Sequence, residues 1–570
     1  MRRMAKDVTP PHTAEAEFAG HREPAPADCR AATSAASDPA DNGSGMTTGA
    51  ILWVFAALMV AMFMFSLNQT VLATALPTIV GELHGVDQML WVSTAFMLAS
   101  TIMMPIYGKI GDLFGRKPLF IFAISMFMLG SVFALLAQDM SFLIIGRVFQ
   151  GIGGGGMMIL SQAIIAAIVP ARERGKYMGA MGSVFAVSSV AGPLIGGWLT
   201  EGPGWRWNFA MNFPLGIFAI IAAMILLRVP DTRPEVRPRV DVAGMALIAV
   251  FTSAVVLIAA WGGHQYEWTS PVILGLGAAA LVAGTIFVFV ERRAAEPIIP
   301  MSLFRDRNFV LSTIAGLTIG VAMFGVLSYM PTYLQMVHGV DAARAGLMMV
   351  PMMGCMLIVS TGIGFVVART GRYKFYPIIG MSLIVTSLVL MSQLRADSPA
   401  WTTMIFLAIM GSGLGLSMQL LVLVVQNSFP VEMVGTATAS NNFFRQIGAS
   451  FGMAIIGSLF TSRLMSNLTE KLSSVPGADA SGLHANELTP EALSQLPTAI
   501  QDLIIGAYND ALVPLFLWAA PLPVLGLLVL FFIREKPLAT RIERAQARPG
   551  QQTRSTIDTE ADSAGQKPAT

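Results

Sequence analysis

The sequence predicts an all-α polytopic membrane protein, and three observations predict it. Only 12 % of the 570 residues are Asp, Glu, Lys or Arg, about half of what a soluble protein uses to cover its surface. Apolar residues make up 54 %, with a mean hydropathy of +0.64. Runs free of those four charged types recur at lengths that cross hydrocarbon, about 20 residues each. In hydrocarbon every backbone N–H and C=O needs an internal partner, so such runs are helices. The short alternating segments of a closed strand barrel are absent from the sequence.

In chain order the runs are 46–81, 88–108, 118–138, 140–171 (interrupted by Arg147), 177–200, 207–227, 242–263 and 268–290. They continue as 308–337, 345–368, 375–394, 398–431, 433–462 (interrupted by Arg445) and 511–533, fourteen in all. Basic residues orient them. Loops after even-numbered helices hold Lys109, Arg116, Lys117, Arg172, Arg174, Arg228, Arg233, Arg237, Arg292, Arg293, Arg369 and Arg372 among others. Loops after odd-numbered helices hold only Arg206, Arg344, Arg395, Arg463 and Lys471. That bias puts the even loops and both termini in the cytoplasm of a multi-pass cell-membrane protein.

The expected organisation has five parts. Residues 1–48 form a disordered cytoplasmic tail, with Met46 as an alternative start, and 49–228 an N-terminal six-helix bundle. Residues 229–308 hold inserted helices 7 and 8 with cytoplasmic linkers. Residues 309–533 form a C-terminal six-helix bundle with an outer loop at 463–510, and 534–570 a second disordered tail. Ile500, Leu503, Ile504, Ala507, Tyr508 and Ala511 have helical spacing. They fit a helix on the outer membrane surface or an ordinary packed loop helix.

An internal repeat supports the two-bundle division. Pro77-Thr78 followed by His84-Gly85-Val86-Asp87 recurs as Pro331-Thr332 and His338-Gly339-Val340-Asp341, an offset of 254. Gly115-Arg116 recurs as Gly371-Arg372, and Gly192 and Gly196 as Gly448 and Gly452, at an offset of 256. Helices 1–5 therefore map onto helices 9–13. A bundle duplicated in parallel, with its site between the halves, is transporter architecture.

Several stretches carry chemistry. Gly108-Lys-Ile-Gly-Asp112-Leu-Phe-Gly115-Arg116-Lys117 fills the loop between helices 2 and 3, where glycines permit a tight turn and Asp112 can pair with neighbouring cations. Arg147, followed by Gln150 and a glycine run to Gly156, lies roughly 9 Å inside helix 4 at about 1.5 Å per residue. An arginine there must face water, a partner or a cavity, or else snorkel to the outer headgroups. In helix 5, Gly192-Pro193-Leu-Ile-Gly196 offers a small-residue packing face and a bend. Thr438, Asn441, Asn442 and Arg445 share one face of helix 13, with Arg445 roughly 16 Å deep. That stripe must face protein or a water-filled cavity, and Gln419, Gln426 and Asn427 on helix 12 are candidate partners.

These stretches, together with Trp205-Arg206-Trp207-Asn208-Phe209 and Leu303-Phe304-Arg305-Asp306-Arg307, resemble the signatures of the major facilitator superfamily. The resemblance is to its fourteen-helix drug:proton antiporter branch, of bacterial, actinobacterial type, and runs from about Leu67 to Arg463. It implies the major facilitator fold. It also implies a conformational switch loop at Gly108, Asp112, Gly115 and Arg116, an exporter motif at Gly192, Pro193 and Gly196, and an Arg147 that faces the central cavity and assists proton coupling.

Only the first copy keeps the full loop motif, since Ala368 replaces Asp112 in the second. The sequence departs from that branch at Asn68, which stands in Leu67-Asn68-Gln69-Thr70 where the branch carries Asp. No acidic residue lies at mid-bilayer depth in any run. Proton carriers must then be sought near the membrane edges, Glu82 and Asp112 foremost, with His84 and His338 as further options.

The expected function is secondary active export of drugs or other organic amphiphiles across the cytoplasmic membrane by alternating access, with proton antiport. The cavity would be lined by Asn68, Thr70, Arg147, Gln150, Gln419, Asn441 and Arg445. With the buried acid missing, neutral, zwitterionic or anionic amphiphiles gain weight over cations. Expected partners are a small organic substrate, protons and the bilayer; no nucleic acid is expected, since the net charge is only +2, and the working unit is a monomer. No cofactor is expected: there is no Gly-x-x-x-x-Gly-Lys-Ser/Thr loop for ATP, and neither Cys29 with Cys355 nor the six histidines form a metal cluster. No catalytic residues are assigned, and an enzyme is not expected. Two alternatives stay open, a lipid or glycolipid flippase of the same fold and a non-transporting membrane sensor or scaffold.

Overall fold

The computed structural model describes residues 48–227, 239–263, 265–473 and 497–539. Residues 1–47 and 540–570 of the expected tails, the linker around Arg228, Arg233 and Arg237, and 474–496 of the outer loop lie outside the described residues; 534–539, expected to be disordered, bond to Asn308, Tyr373 and Asn427. Helices follow the apolar runs: α1 (Thr48–Glu82), α2 (Met89–Phe114), α3 (Arg116–Leu135), α4 (Met140–Ile168) and α5 (Ala171–Glu201). After a single turn at Trp207–Ala210 come α6 (Asn212–Leu226), α7 (Val242–Trp261), α8 (Pro271–Glu291), α9 (Arg307–His338) and α10 (Ala342–Thr370). Then follow α11 (Phe375–Met391), α12 (Ala400–Gln426), α13 (Val434–Ser473) and α14 (Thr498–Ala519), which resumes past Ala520 as Pro521–Phe531. Among the described residues thirteen helical spans are long and apolar enough to cross a membrane; α11, at 17 residues, is shorter. Among the described residues no strand forms, only an isolated bridge between Gly262 and Tyr266.

Local sequence sets where the helices begin and end. Asp139, Asp241, Asp306 and Asp341 accept hydrogen bonds from Phe142, Gly244, Phe309 and Arg344, satisfying otherwise orphaned first-turn N–H groups. Gly339 (φ 62°) and Gly371 (φ 73°) close α9 and α10 in the left-handed conformation. Gly115, at φ 95°, reverses the chain from α2 to α3 through a single residue.

The amphipathic stretch 500–511 does not lie on the membrane surface. It is the outer part of α14, continuous with the final span, and Ile504, Ala507, Tyr508 and Ala511 are buried. Helix α13 has 40 residues, roughly 60 Å at 1.5 Å per residue, twice the hydrocarbon thickness. Its last turns therefore outrun the bilayer and pair with α14: Tyr508 meets Phe460 with ring centroids 4.9 Å apart, and Lys471 pairs with Asp510 at 2.7 Å. Covering one amphipathic helix with another buries its apolar stripe without lipid.

Helices α1–α6 pack among themselves, as do α9–α14. The repeat is visible in the packing. Gly192 and Gly196 let α5 approach α1 at Thr70, Val71 and Thr74, and Gly448 and Gly452 let α13 approach α9 at Leu317 and Val321. The two sets meet along α5 with α10 and along α2 with α13. The α7–α8 hairpin covers the second seam, packing on α2 and α13. At its outer end Trp261 meets Trp91 of α2 at 5.7 Å, and Trp268 just past it donates to Ser458 Oγ of α13 at 2.7 Å.

Candidate functional site

Helices α1, α2 and α4 converge on Arg147. Its Nη1 donates to Asn68 Oδ1 and, at 2.7 Å, to Gln150 Oε1; Nη2 donates to Gln69 Oε1 at 2.9 Å and Nε to the Val92 carbonyl at 3.1 Å. The Phe96 ring lies 4.3 Å from the guanidinium carbon. Arg147 is 0 % exposed. In this conformation it does not open onto a central cavity, as the resemblance implied, nor does it snorkel to headgroups. It ties three helices of the first bundle together through neutral acceptors. Gln150 passes the network on to Ser131 of α3 at 2.9 Å.

A second cluster lies where the helices carry the basic loops. Asp112 Oδ2 accepts from the Thr436 backbone N–H at 2.7 Å and from its hydroxyl at 2.9 Å, so Asp112 of one bundle caps α13 of the other. Arg116 donates to Asp112 Oδ1 at 2.8 Å, to the Val431 carbonyl at 2.6 Å and to the Ala163 carbonyl at 2.9 Å. Gly435 and Gly108 allow this approach, because a Cβ on either would collide with Asp112 or with the α13 backbone.

One layer deeper, Asn442 Nδ2 donates to Gln162 Oε1 at 3.0 Å, and Gln426 Nε2 bridges the Gln162 carbonyl (3.4 Å) and Thr438 Oγ1 (3.3 Å). Along the other seam Ser360 donates to the Gly179 carbonyl at 3.1 Å, and Arg172 to the carbonyls of Ala368 and Arg369 at 3.2 and 3.1 Å. All of these bonds lie in the half nearer the basic loops. Among the described residues no hydrogen bond joins 48–227 to 307–539 in the other half, where Gln69, Thr74 and Thr78 of α1 are exposed.

The polar stripe of α13 is divided between bundles. Asn441 donates to Thr313 of α9 at 3.2 Å, Asn442 reaches across to Gln162, and Arg445 donates to Asn442 Oδ1. Phe443 and Ile447, on the opposite face, pack on the α7–α8 hairpin. Arg445 is partly exposed and points away from that side.

The remaining expected residues are scattered. Thr70 bonds the Ser188 carbonyl at 2.9 Å inside the first bundle. Gln419 lies against Gly182 where α12 meets α5, with its Oε1 buried and unpartnered. Pro193 is exposed. Glu82 stands apart at the end of α1 away from the basic loops, held by Arg206 at 2.6 Å and Trp205 Nε1 at 2.7 Å. Sequence reasoning did not single out Gln162 or Thr436. Gln162 carried a usable signal, the one amide side chain in a mostly apolar run between Gly156 and Arg172. Thr436 carried none.

Comparison with known proteins fits this architecture. The family model described as Major Facilitator Superfamily matches residues 58–453. The chain belongs to the major facilitator superfamily. Within it, the chain is similar to the uncharacterized MFS-type transporter Rv1877 of Mycobacterium tuberculosis, 40 % identical over 489 residues, 85 % of this chain and 70 % of that protein. It is also similar to the multidrug transporter protein MdtP of Bacillus subtilis, 36 % identical over 474 residues, covering 80 % of this chain and 87 % of MdtP. The solved structure of the proton:xylose symporter XylE superposes with a TM-score of 0.55 at 15 % identity, covering 87 % of this chain and 98 % of XylE, a likeness of fold. This superfamily member is thus a multi-pass membrane transporter whose helices and seams are those just described.

Proposed function

We propose that this transporter exports organic amphiphiles across the cytoplasmic membrane by alternating access, and that the conformation described is its outward-facing one. One observation carries the reading: the polar bonds between the bundles are confined to the end with the basic loops. By the positive-inside bias that end is cytoplasmic. A molecule sealed inside and unbonded outside is one of the two states an exporter needs, the other having the seal reversed. The likeness to MdtP, named a multidrug transporter, supports a drug-like cargo.

In this reading the proton gradient is the energy source and Asp112 the coupling acid. As a carboxylate it accepts from Thr436 twice and from Arg116. A proton on Asp112 removes its charge and occupies an acceptor oxygen, which weakens the α13 cap and the Arg116 pairing together. For antiport that proton arrives from the outer side; the inner gate then opens, releases it to the cytoplasm and admits cargo in exchange. The working unit is a monomer, because both halves of the gate come from one chain. For the flippase alternative, the α7–α8 hairpin covers the seam between α2 and α13, which leaves a lipid only the seam between α5 and α10 as a lateral entry.

The test is dye efflux from proteoliposomes with and without an imposed pH gradient. Native protein is expected to need the gradient, Asp112→Asn to lose gradient dependence, and Asn68→Asp to strengthen it by placing an acid beside Arg147. Equal native flux without a gradient would remove proton antiport, and no flux of any amphiphile would remove export itself.

A further inference from the structure

Resting on that export reading, we infer that the cargo carries an anionic group and that Arg445 of α13 binds it. Two guanidiniums lie deep in the spans, and neither has a counter-charge. Arg147 meets only amides, a carbonyl and a ring. Arg445 has one described bond, to the amide oxygen of Asn442. Among the described residues no Asp or Glu forms an ion pair with either. The carboxylates nearest the spans are engaged elsewhere: Glu82 with Arg206, Asp112 with Arg116 and Thr436, and Glu291 with the N–H groups of Ile298 and Ile299.

A buried cation without a partner is costly in a low-dielectric setting, and an anion delivered by a ligand relieves that cost. Arg147 is fully enclosed, so it contributes positive potential and no contact. Arg445 is partly exposed and retains free donors on its planar fork, which suits a carboxylate, sulfonate or phosphate bidentately. Gly316 of α9 lies beside it, where a Cβ would stand 3.9 Å from both Arg445 Cβ and Asn441 Nδ2. Asn441 lines the same side. A cationic amphiphile would meet two like charges there and no carboxylate.

The position also ties binding to the gate. Arg445 donates to Asn442, which donates across the bundles to Gln162. An anion that draws the guanidinium away from Asn442 loosens the deeper layer of the inner seal. Cargo binding and gate movement thereby share one side chain.

Two dyes with one xanthene core separate the possibilities: fluorescein, an anion, and rhodamine methyl ester, a monocation. Full-length protein in proteoliposomes is expected to move fluorescein faster than the rhodamine ester. Arg445→Lys keeps that order, Arg445→Gln lowers fluorescein flux at least about tenfold, and Arg445→Glu reverses the order. Circular dichroism and thermal unfolding in detergent confirm that each variant is folded. Native preference for the rhodamine ester, or an Arg445→Gln flux ratio equal to native, overturns the anion site while leaving export intact. Fluorescence anisotropy in detergent covers the case in which neither dye moves. Fluorescein binding that is lost in Arg445→Gln then keeps the anion site and sinks export, and binding equal in both proteins sinks the site.

Discussion

Arg147 commits all three guanidinium nitrogens, through four hydrogen bonds, to neutral acceptors on α1, α2 and α4, and this makes it a structural keystone of the first bundle. Removing it leaves Asn68, Gln150 and the Val92 carbonyl short of partners in a dry interior. Arg147→Met is expected to cost on the order of 2 kcal/mol, read as a lower melting temperature in detergent. An unchanged melting temperature would mean that the network adds nothing to the fold. Sequence position identified Arg147 as special but could not say why. A cation 9 Å into a helix, by the rough rise of 1.5 Å per residue, is equally consistent with a cavity, a partner or the headgroups. Only the helices packed against it choose among those.

Among elements, the meeting of α2 with the start of α13 is the inner gate of the proposed export cycle. Gly435 is there because a methyl group would occupy the space of the Asp112 carboxylate. Gly435→Ala is therefore expected to push Asp112 off Thr436 and shift the population toward the inward-open state. A cysteine at Met158, partly buried against Ala439, reports this in a background with Cys29 and Cys355 replaced by serine. Its labelling from the cytoplasmic side should accelerate several-fold in the Gly435→Ala protein, and equal rates would argue that the cap does not hold the gate. On α5, Gly192→Leu should force Thr70 and α1 away, with loss of flux and of thermal stability together.

For the whole molecule, the asymmetric placement of cross-bundle bonds makes a directional forecast. In right-side-out membranes, Thr74→Cys on the outer half of α1 should react with an impermeant thiol reagent added outside, while Met158→Cys should be protected. Tethering Arg172→Cys to Arg369→Cys across the inner seam, where Arg172 bonds the Arg369 carbonyl, should arrest export without altering outside labelling of Thr74→Cys. Reaction of Met158→Cys from outside, with Thr74→Cys inert, would invert the assigned conformation.

How much was legible in advance follows from what each property depends on. Helix order, the repeat and the tight turn between α2 and α3 are written locally, because hydrocarbon forces backbone pairing within each run and leaves composition to mark where the runs lie. The caps at Asp139, Asp306 and Asp341 are equally local. The fate of 500–511 was not, since an amphipathic stripe covers itself as readily with a neighbouring helix as with lipid. The roles of Gln162 and Thr436 were hidden for the same reason: each is defined by a partner hundreds of residues away. The sequence alone determined that guanidiniums sit in the membrane without nearby acids. The tertiary structure decided that one is walled in and the other partly exposed, because enclosure is a property of neighbouring helices and not of the residue itself.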